Sequence, residues 1–353
     1  MLSNCHIELF SLDNDYYQLR LFDSNYQLLD DYPLKKSELA GLIQTSQNRY
    51  QMEAADLPQQ GQKLWQLING PKKTLRELHK QGLSLQLSIK SAEELAGLPW
   101  EILHNGQEFL CLAKPGILVQ RQIQERNNPY TPATRPLRVL FMACSPLNVE
   151  PVLNFEQEEA RILEGTAKHP LFLHVEESGS LEGLQEQIEA YEEDFFDVIH
   201  LTGHATIAKN DKADDDKEQP VFIMEDIAGQ MDRVSPERLA EVFDNCGRYP
   251  RVLFLSGCRT GESRENLRSF SEQLVRLGLP AVLGWALPVY DDCASEGACY
   301  FYEKLSTGLS IAQALIYARK QVYDYEFKQH KKPSQLYNWH LLRLYSDASC
   351  VFS

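Results

Sequence analysis

The sequence predicts an α/β protein with a central, mostly parallel, helix-covered sheet, preceded by an N-terminal region of strands and helices. Two observations predict it. From Leu137 onward, short apolar runs alternate with helical patterns of about 10–15 residues, the signature of a parallel sheet covered by helices. Two of those runs, Asp197-Val-Ile-His-Leu-Thr-Gly-His204 and Arg251-Val-Leu-Phe-Leu-Ser-Gly-Cys258, each end in glycine plus a reactive side chain. A short, β-branched-rich run closed by glycine reads as a buried parallel strand, and in open α/β sheets the working residues lie just beyond the carboxyl ends of such strands.

Taken in order, residues 1 to about 35 read as two or three antiparallel strands, with His6-Ile-Glu-Leu-Phe10 and Tyr17-Gln-Leu-Arg-Leu-Phe22 alternating about the turn Asp13-Asn-Asp15. From Ser37 to about Gln81 apolar residues recur at helical spacing, as at Leu39, Leu42 and Ile43 and at Leu64, Leu67 and Ile68. Leu83-Ser-Leu-Gln-Leu-Ser-Ile89 is a period-two strand. Ser91-Ala-Glu-Glu94 has a capping-box pattern that predicts a helix start, and a turn and a strand pair follow through Val119. Residues 122–137 are polar and carry three prolines. This composition divides the chain into an accessory α/β region over 1–125, a linker over 126–137 and a larger domain over 138–353.

In the larger domain, strands are expected at Leu137-Arg-Val-Leu-Phe-Met-Ala143, Leu171-Phe-Leu-His-Val175, at the two glycine-closed runs and at Ala281-Val-Leu-Gly-Trp285. Helices are expected over 154–168, 180–191 and 269–277, after Ser235-Pro236, and in two C-terminal stretches. Val221-Phe-Ile-Met224 reads as part of a hairpin. The acidic segment 211–218 between the two runs reads as a surface insertion, or as a gating or processing loop.

Composition narrows the chemistry. The chain has 353 residues, enough for two moderate domains, and its 43% hydrophobic and 24% charged residues are those of a soluble globular protein. A net charge of −15 argues against nucleic acid or an anionic membrane as partner, since both are bound through Lys and Arg clusters. The first ten residues lack the basic n-region and long apolar core of a secretory leader. The eight cysteines are scattered without a CxxC pair, which suits neither a disulfide framework nor a zinc site. The expectation is a cytoplasmic protein with reduced thiols, no metal and no cofactor.

Either His204 or Cys258 alone reads as packing. Together, each after glycine, each at an expected strand end and 54 residues apart, they form the pair that a cysteine nucleophile and its proton-transfer partner require. Gly203 and Gly257 permit a sharp turn and close approach of a substrate backbone, so the amides of Gly203 and Cys258 could face a developing oxyanion. Arg259 brings a positive charge next to the thiol. Cys144 ends another strand on the same edge, and Ser145-Pro-Leu-Asn148 follows it, so Cys144 and Asn148 are candidates to line a pocket, although Cys144 reads first as merely buried.

These blocks, Asp197-Val-Ile-His-Leu-Thr-Gly-His-Ala205 and Leu255-Ser-Gly-Cys-Arg-Thr-Gly261, resemble the two signature blocks of CHAT domains, of the caspase–separase group of cysteine peptidases. The resemblance takes in Leu98-Pro-Trp-Glu-Ile-Leu103, Arg138-Val-Leu-Phe-Met142, Pro280-Ala-Val-Leu-Gly-Trp285, Phe301-Tyr-Glu-Lys-Leu-Ser-Thr-Gly308 and Ala312-Gln-Ala-Leu-Ile-Tyr-Ala-Arg319, and so covers roughly residues 83–345. It implies a caspase-like three-layer sandwich and an endopeptidase in which Cys258 is nucleophile, His204 general base and acid, and Gly203 with Cys258 the oxyanion hole. It also implies that an aspartate after the Trp285 strand, Asp291 or Asp292, receives a basic P1 side chain. Members of this kind resemble prokaryotic antiviral defence proteases, switched on by a separate sensor protein and cleaving a partner such as a gasdermin or a regulatory protein. The alternative from another class is a caspase-like interaction module whose thiol chemistry is silent.

Overall fold

The computed structural model describes residues 2–47, 53–124, 135–209, 218–263, 267–332 and 335–347. The linker expected at 126–137 lies outside them up to residue 134, as does the acidic segment over 211–217. The chain forms two compact units: residues up to Gln122 together with Arg319–His340, and Ile123–Ser263 with Leu267–Ala318 and the end of the chain from Leu341. A single cut at a linker therefore does not divide the protein, because residues 319–340 fold with the N-terminal unit.

The N-terminal unit contains β1 (Leu2–Ser11), β2 (Tyr16–Phe22), β3 (Leu28–Lys35), α1 (Lys36–Gln47), α2 (Leu57–Asn69), α3 (Thr74–Lys80), β4 (Ser84–Ser91) and β5 (Ile117–Gln124). Its strands lie in the order β3-β2-β1-β4-β5, antiparallel along the first three and parallel from β1 through β5. Two local expectations fail. Ser91 stays paired with Leu9 as the last residue of β4, so its hydroxyl caps no helix and only a 3-10 turn follows at Glu93–Leu95. The expected strand pair reduces to β5 and an isolated bridge between His104 and Phe109. The motif Leu98-Pro-Trp-Glu-Ile-Leu103 instead makes a buried 3-10 turn at Trp100–Ile102. Arg121 of β5 holds it, donating to the Ala96 and Leu98 carbonyls at 2.8 Å and to both Glu101 carboxylate oxygens at 2.8 and 3.0 Å.

The second unit alternates as expected: β6 (Arg138–Ala143), α4 (Phe155–Gly165), β7 (Phe172–Glu176), α5 (Leu181–Glu189), β8 (Val198–Thr202), β9 (Ala205–Lys209), β10 (Glu218–Glu225), β11 (Met231–Val234), α6 (Pro236–Cys246), β12 (Val252–Ser256), α7 (Phe270–Leu277), β13 (Ala281–Trp285), α8 (Asp291–Leu305), the first part of α9 (Ile311–His330) and β14 (Leu342–Asp347). Helix starts follow the sequence signals, with Asn154, Ser180, Ser235 and Ser269 each accepting a first-turn amide through its side chain. Strands β13, β12, β8, β6 and β7 are parallel in that order, and β14 adds to β13 in the opposite sense. Strands β9, β10 and β11 form a separate antiparallel sheet, larger than the hairpin expected.

Period-two alternation sends the strand side chains to two helical layers. Leu140, Met142, Ile199, Leu201, Leu253 and Leu255 join the core that contains Leu184 of α5, Leu239 and Phe243 of α6, and Leu274 of α7. The intervening Phe141, His200 and Phe254 form a ring-to-ring stack that continues to Phe301 and Tyr302 of α8. The sheet is thus the middle of three layers, a mixed α/β, caspase-like architecture. At the amino ends of its strands, Asp197 receives Arg251 at 3.0 Å, accepts the Arg138 amide at 2.9 Å and pairs with Arg135, which fixes the register of β6, β8 and β12.

Removing one partner of a buried ion pair leaves an uncompensated charge, a loss of about 3–5 kcal/mol. Glu101→Leu, which strands the Arg121 guanidinium, is therefore expected to destabilise the N-terminal unit by that order in denaturant unfolding; an unchanged midpoint contradicts the assignment.

Candidate active site

Strand β8 ends at Thr202 and β12 at Ser256, and these two residues are register partners. His204 and Cys258 each follow two residues later, so the parallel ladder carries them out at matching positions on neighbouring strands. The glycines between are required by close approach. A Cβ on Gly257 would lie 2.8 Å from the Phe222 ring and 3.1 Å from the Gly203 carbonyl oxygen, and one on Gly203 would lie 3.1 Å from Cys144 Cβ and 3.3 Å from the same ring. Phe222, fully buried on β10, covers both glycines.

The order of the strands puts a topological switch between β6 and β8: the chain leaves β6 toward β7 and returns to β8 on the other side. Crevices of this kind are where α/β sheets bind ligands. The loop after β6 crosses here, and the Pro151 carbonyl oxygen lies 2.7 Å from His204 Nε2. A carbonyl only accepts, so Nε2 carries the ring proton, and Nδ1 of the neutral ring is left as the proton acceptor. The sequence holds no signal for Pro151, because any residue supplies a carbonyl.

Cys258 opens a tight turn. Thr260 Oγ1 donates to the Gly257 carbonyl at 2.9 Å and accepts the Trp285 amide at 3.1 Å, the Gly261 amide donates to the Trp285 carbonyl at 2.9 Å, and Tyr345 donates to the Gly261 carbonyl at 2.7 Å. Arg259 adopts φ = 67°, a left-handed conformation uncommon for a side-chain-bearing residue and frequent at functional sites. Its guanidinium faces the buried Glu262 at 3.6 Å. Burial pushes the half-buried Cys258 thiol above its ordinary value; a hydrogen bond from the Val289 backbone opposes this, Asp291 adds to it and the Arg259 charge counteracts it. The resting Cys258 side chain is accordingly a thiol rather than a thiolate.

Two candidate roles at the site are corrected. The Gly203 amide is engaged in the ladder, donating to the Ser256 carbonyl at 3.2 Å, so it is not an oxyanion donor. The neighbouring available amide is that of Ala205. The Ile223 amide donates to the His204 carbonyl at 2.8 Å, which makes His204 opposite Ile223 a hydrogen-bonded pair and Ala205 opposite Phe222 a non-bonded one. The Ala205 N–H therefore points away from β10, and Pro220, which has no N–H, occupies the same class of position two pairs along. Cys144 is fully buried in the core, its amide bound to the Thr202 carbonyl at 2.8 Å, so it supports Gly203 and does not line a pocket. Asn148 is exposed, and its side-chain oxygen accepts the Met231 amide at 2.8 Å, which ties the loop after β6 to β11.

Asp291 and Asp292 open α8. Asp291 interacts electrostatically with both His204 and Cys258; burial raises its carboxyl above the ordinary range, the proximity of His204 opposes this, and Asp292 and Glu158 add to the rise. Asp292 is 59% exposed and lies 3.9 Å from Arg161 of α4. Asp292 thus has a partner on α4, while Asp291 interacts with both members of the pair. Sequence reasoning also missed Glu158, whose carboxylate binds the last residues of β8 and β12: Thr202 Oγ1 and Ser256 Oγ each donate to it at 2.8 Å. Its signal was present, since Glu158 falls on the buried stripe of α4 with Ile162 and Thr166, where a carboxylate needs partners. Among the described residues no group of three or more His, Cys, Asp or Glu side chains could hold a metal ion, and no helix is long and apolar enough to cross a membrane.

The family profile described as "CHAT domain" matches residues 58–349. The chain belongs to the CHAT domain family. Among solved structures this CHAT protein is similar to the Arg specific cysteine proteinase gingipain R (RgpB), with 10% identity over 89% of this chain and 76% of that one and a TM-score of 0.51. It is similar also to the complex of Porphyromonas gingivalis RgpB pro- and mature domains, with 10% identity over 90% and 77% of the two chains and a TM-score of 0.53. A Saccharomyces cerevisiae separase–securin complex aligns at 10% identity over 98% of this chain and 30% of that one, with a TM-score of 0.49. At such identities the likeness is one of fold. No curated protein matches the chain.

The raised Cys258 thiol sets a pH dependence. Its thiolate fraction grows as pH rises, with a midpoint alkaline of the ordinary cysteine value of about 8.5. Iodoacetamide labelling of the Cys258 peptide, followed by mass spectrometry across pH, is expected to give that midpoint. Asp291→Asn removes a negative neighbour and is expected to lower it; a midpoint below the ordinary value, or an upward shift in the variant, contradicts this electrostatic picture.

Proposed function

We propose that this CHAT protein is a cysteine endopeptidase in which Cys258 attacks the scissile carbonyl and His204 moves the proton. The observation that carries the reading is the register of β8 and β12, with Thr202 opposite Ser256 and the two reactive side chains two residues beyond. His204 Nδ1 takes the thiol proton as Sγ forms its bond to the carbonyl carbon, and the protonated ring then gives that proton to the departing amine. Water, deprotonated by the same ring, cleaves the thioester and restores the thiol. Pro151 holds the imidazole in the tautomer these steps need. The Cys258 amide and the Ala205 amide, which lies outside the ladder, are the donors suited to the oxyanion.

Asp291 is the residue we assign to a basic P1 side chain, since Asp292 already faces Arg161. The gingipain of like fold is described as Arg specific, which agrees with this reading. The substrate in this proposal is a protein partner, and the first candidates are those the family resemblance implies: a gasdermin or a regulatory protein, cut once a separate sensor chain switches the protease on.

A peptide panel varied only at P1, together with co-incubation with candidate partner proteins, tests the proposal. Cleavage after Arg or Lys is expected, with a loss of about 100-fold or more in Cys258→Ala and in His204→Ala. Asp291→Asn is expected to erase the preference for a basic P1 residue. Cleavage retained in Cys258→Ala overturns the mechanism, and a preference for Asp or an apolar P1 residue overturns the role of Asp291.

A further inference from the structure

The carboxyl ends of β8 and β12 are joined by one carboxylate. Glu158 Oε2 accepts Thr202 Oγ1 and Oε1 accepts Ser256 Oγ, both at 2.8 Å. His200, three-fifths of the way along β8, lies 3.4 Å from Oε1 through Nε2, and its Nδ1 lies 3.1 Å from the Tyr302 hydroxyl. Every member is buried: Glu158 is 4% exposed, Thr202 2% and Ser256 7%, while His200 and Tyr302 have no exposed surface. Burial, the largest influence, raises the Glu158 carboxyl, but His200, Thr202 and Ser256 together hold it below the ordinary range, so it is ionised at neutral pH.

A buried ionised carboxylate is expensive, and well-packed apolar groups of similar volume often stabilise a core as well. Its distinctive property is geometric. An ionised carboxylate accepts only, and two hydroxyls on separate strands that donate to its two oxygens are held at a fixed mutual offset. Thr202 and Ser256 are each followed, two residues on, by the candidate base and nucleophile. Helix α4 also follows directly on the loop that carries Pro151, seven positions before Glu158, so the element that joins the strand ends continues from the one that orients the imidazole.

We propose that Glu158 is a positioning residue that couples the His204 turn to the Cys258 turn, so that loosening either strand end loosens both. The proposal rests on the proteolytic reading for its functional meaning, but its geometry can be read without a substrate.

Amide hydrogen exchange of the full-length protein, resolved by peptide, tests it on Thr202→Val, Thr202→Ser and Glu158→Gln. Thr202→Val removes the hydroxyl and keeps the shape of a β8 residue. It is expected to speed exchange about ten-fold at residues 257–261, on the other strand, as well as at 203–206, while β4 in the N-terminal unit stays unchanged. Thr202→Ser keeps the hydroxyl and is expected to exchange as wild type, which keeps the test decisive if Glu158→Gln fails to fold. Where a peptide is cleaved, Thr202→Val is further expected to lower kcat about ten-fold with little change in KM. Exchange that rises only at 203–206, or equally throughout the protein, overturns the coupling. Coupled exchange in a protein that cleaves no peptide even with its activating partner present upholds the coupling and overturns the proteolytic reading instead.

Discussion

The second unit depends on the mutual register of β8 and β12. Two parallel strands can slide by a residue, and a one-residue slip would send every side chain to the opposite face. Here the register is held at both ends by carboxylates: Asp197 pairs with Arg251 and the Arg138 amide at the amino ends, and Glu158 binds Thr202 and Ser256 at the carboxyl ends. Between them, Leu201 and Leu255 face one helical layer and His200 and Phe254 the other. What projects past the clamp, His204 and Cys258, is therefore determined by interactions in the core.

The turns beyond the clamp are built from the same economy of space. The Phe222 ring covers both glycines, at a distance that leaves no room for a Cβ on Gly257 and a tight fit for one on Gly203, which brings the separate β9-β10-β11 sheet against the strand ends. That sheet also decides which backbone amides are available. Its pairing leaves the Ala205 N–H outside the ladder, while the main sheet engages that of Gly203. The switch in strand order between β6 and β8 opens the crevice, and the loop after β6 delivers the carbonyl that orients the imidazole.

Much of this was legible in the sequence, and the rest was hidden for identifiable reasons. The alternation of apolar runs with capped helical segments sufficed for β6, β7, β8, β12 and β13, because buried parallel strands and Ser or Asn caps leave local marks, as at Ser235-Pro236. The matching positions of His204 and Cys258, each two residues past the register partners Thr202 and Ser256, were legible because both follow glycine at strand ends. The antiparallel β14 was not, since Leu342-Arg-Leu-Tyr-Ser-Asp347 buries residues on both faces and carries no simple alternation. Nor was the return of residues 319–340 to the N-terminal unit, which depends on contacts between segments far apart in the chain, such as the Trp339 ring against Phe109 with centroids 4.7 Å apart. Backbone groups escape sequence reading altogether, which is why Pro151 and Ala205 were missed and Gly203 was assigned a donor role its ladder bond forbids. Cys144 lies in the core, the leading of its two readings, since a strand-end cysteine reads alike whether its thiol enters a pocket or the core.

The central claim is that one thiol among several, Cys258, is activated by His204. Covalent trapping with a peptidyl ketone electrophile carrying arginine beside the reactive carbon, followed by mapping of the modified residue, tests it most directly. The account predicts modification of Cys258 alone in the wild-type protein and its loss in His204→Ala. Modification of another cysteine, or of Cys258 equally in both proteins, would contradict it.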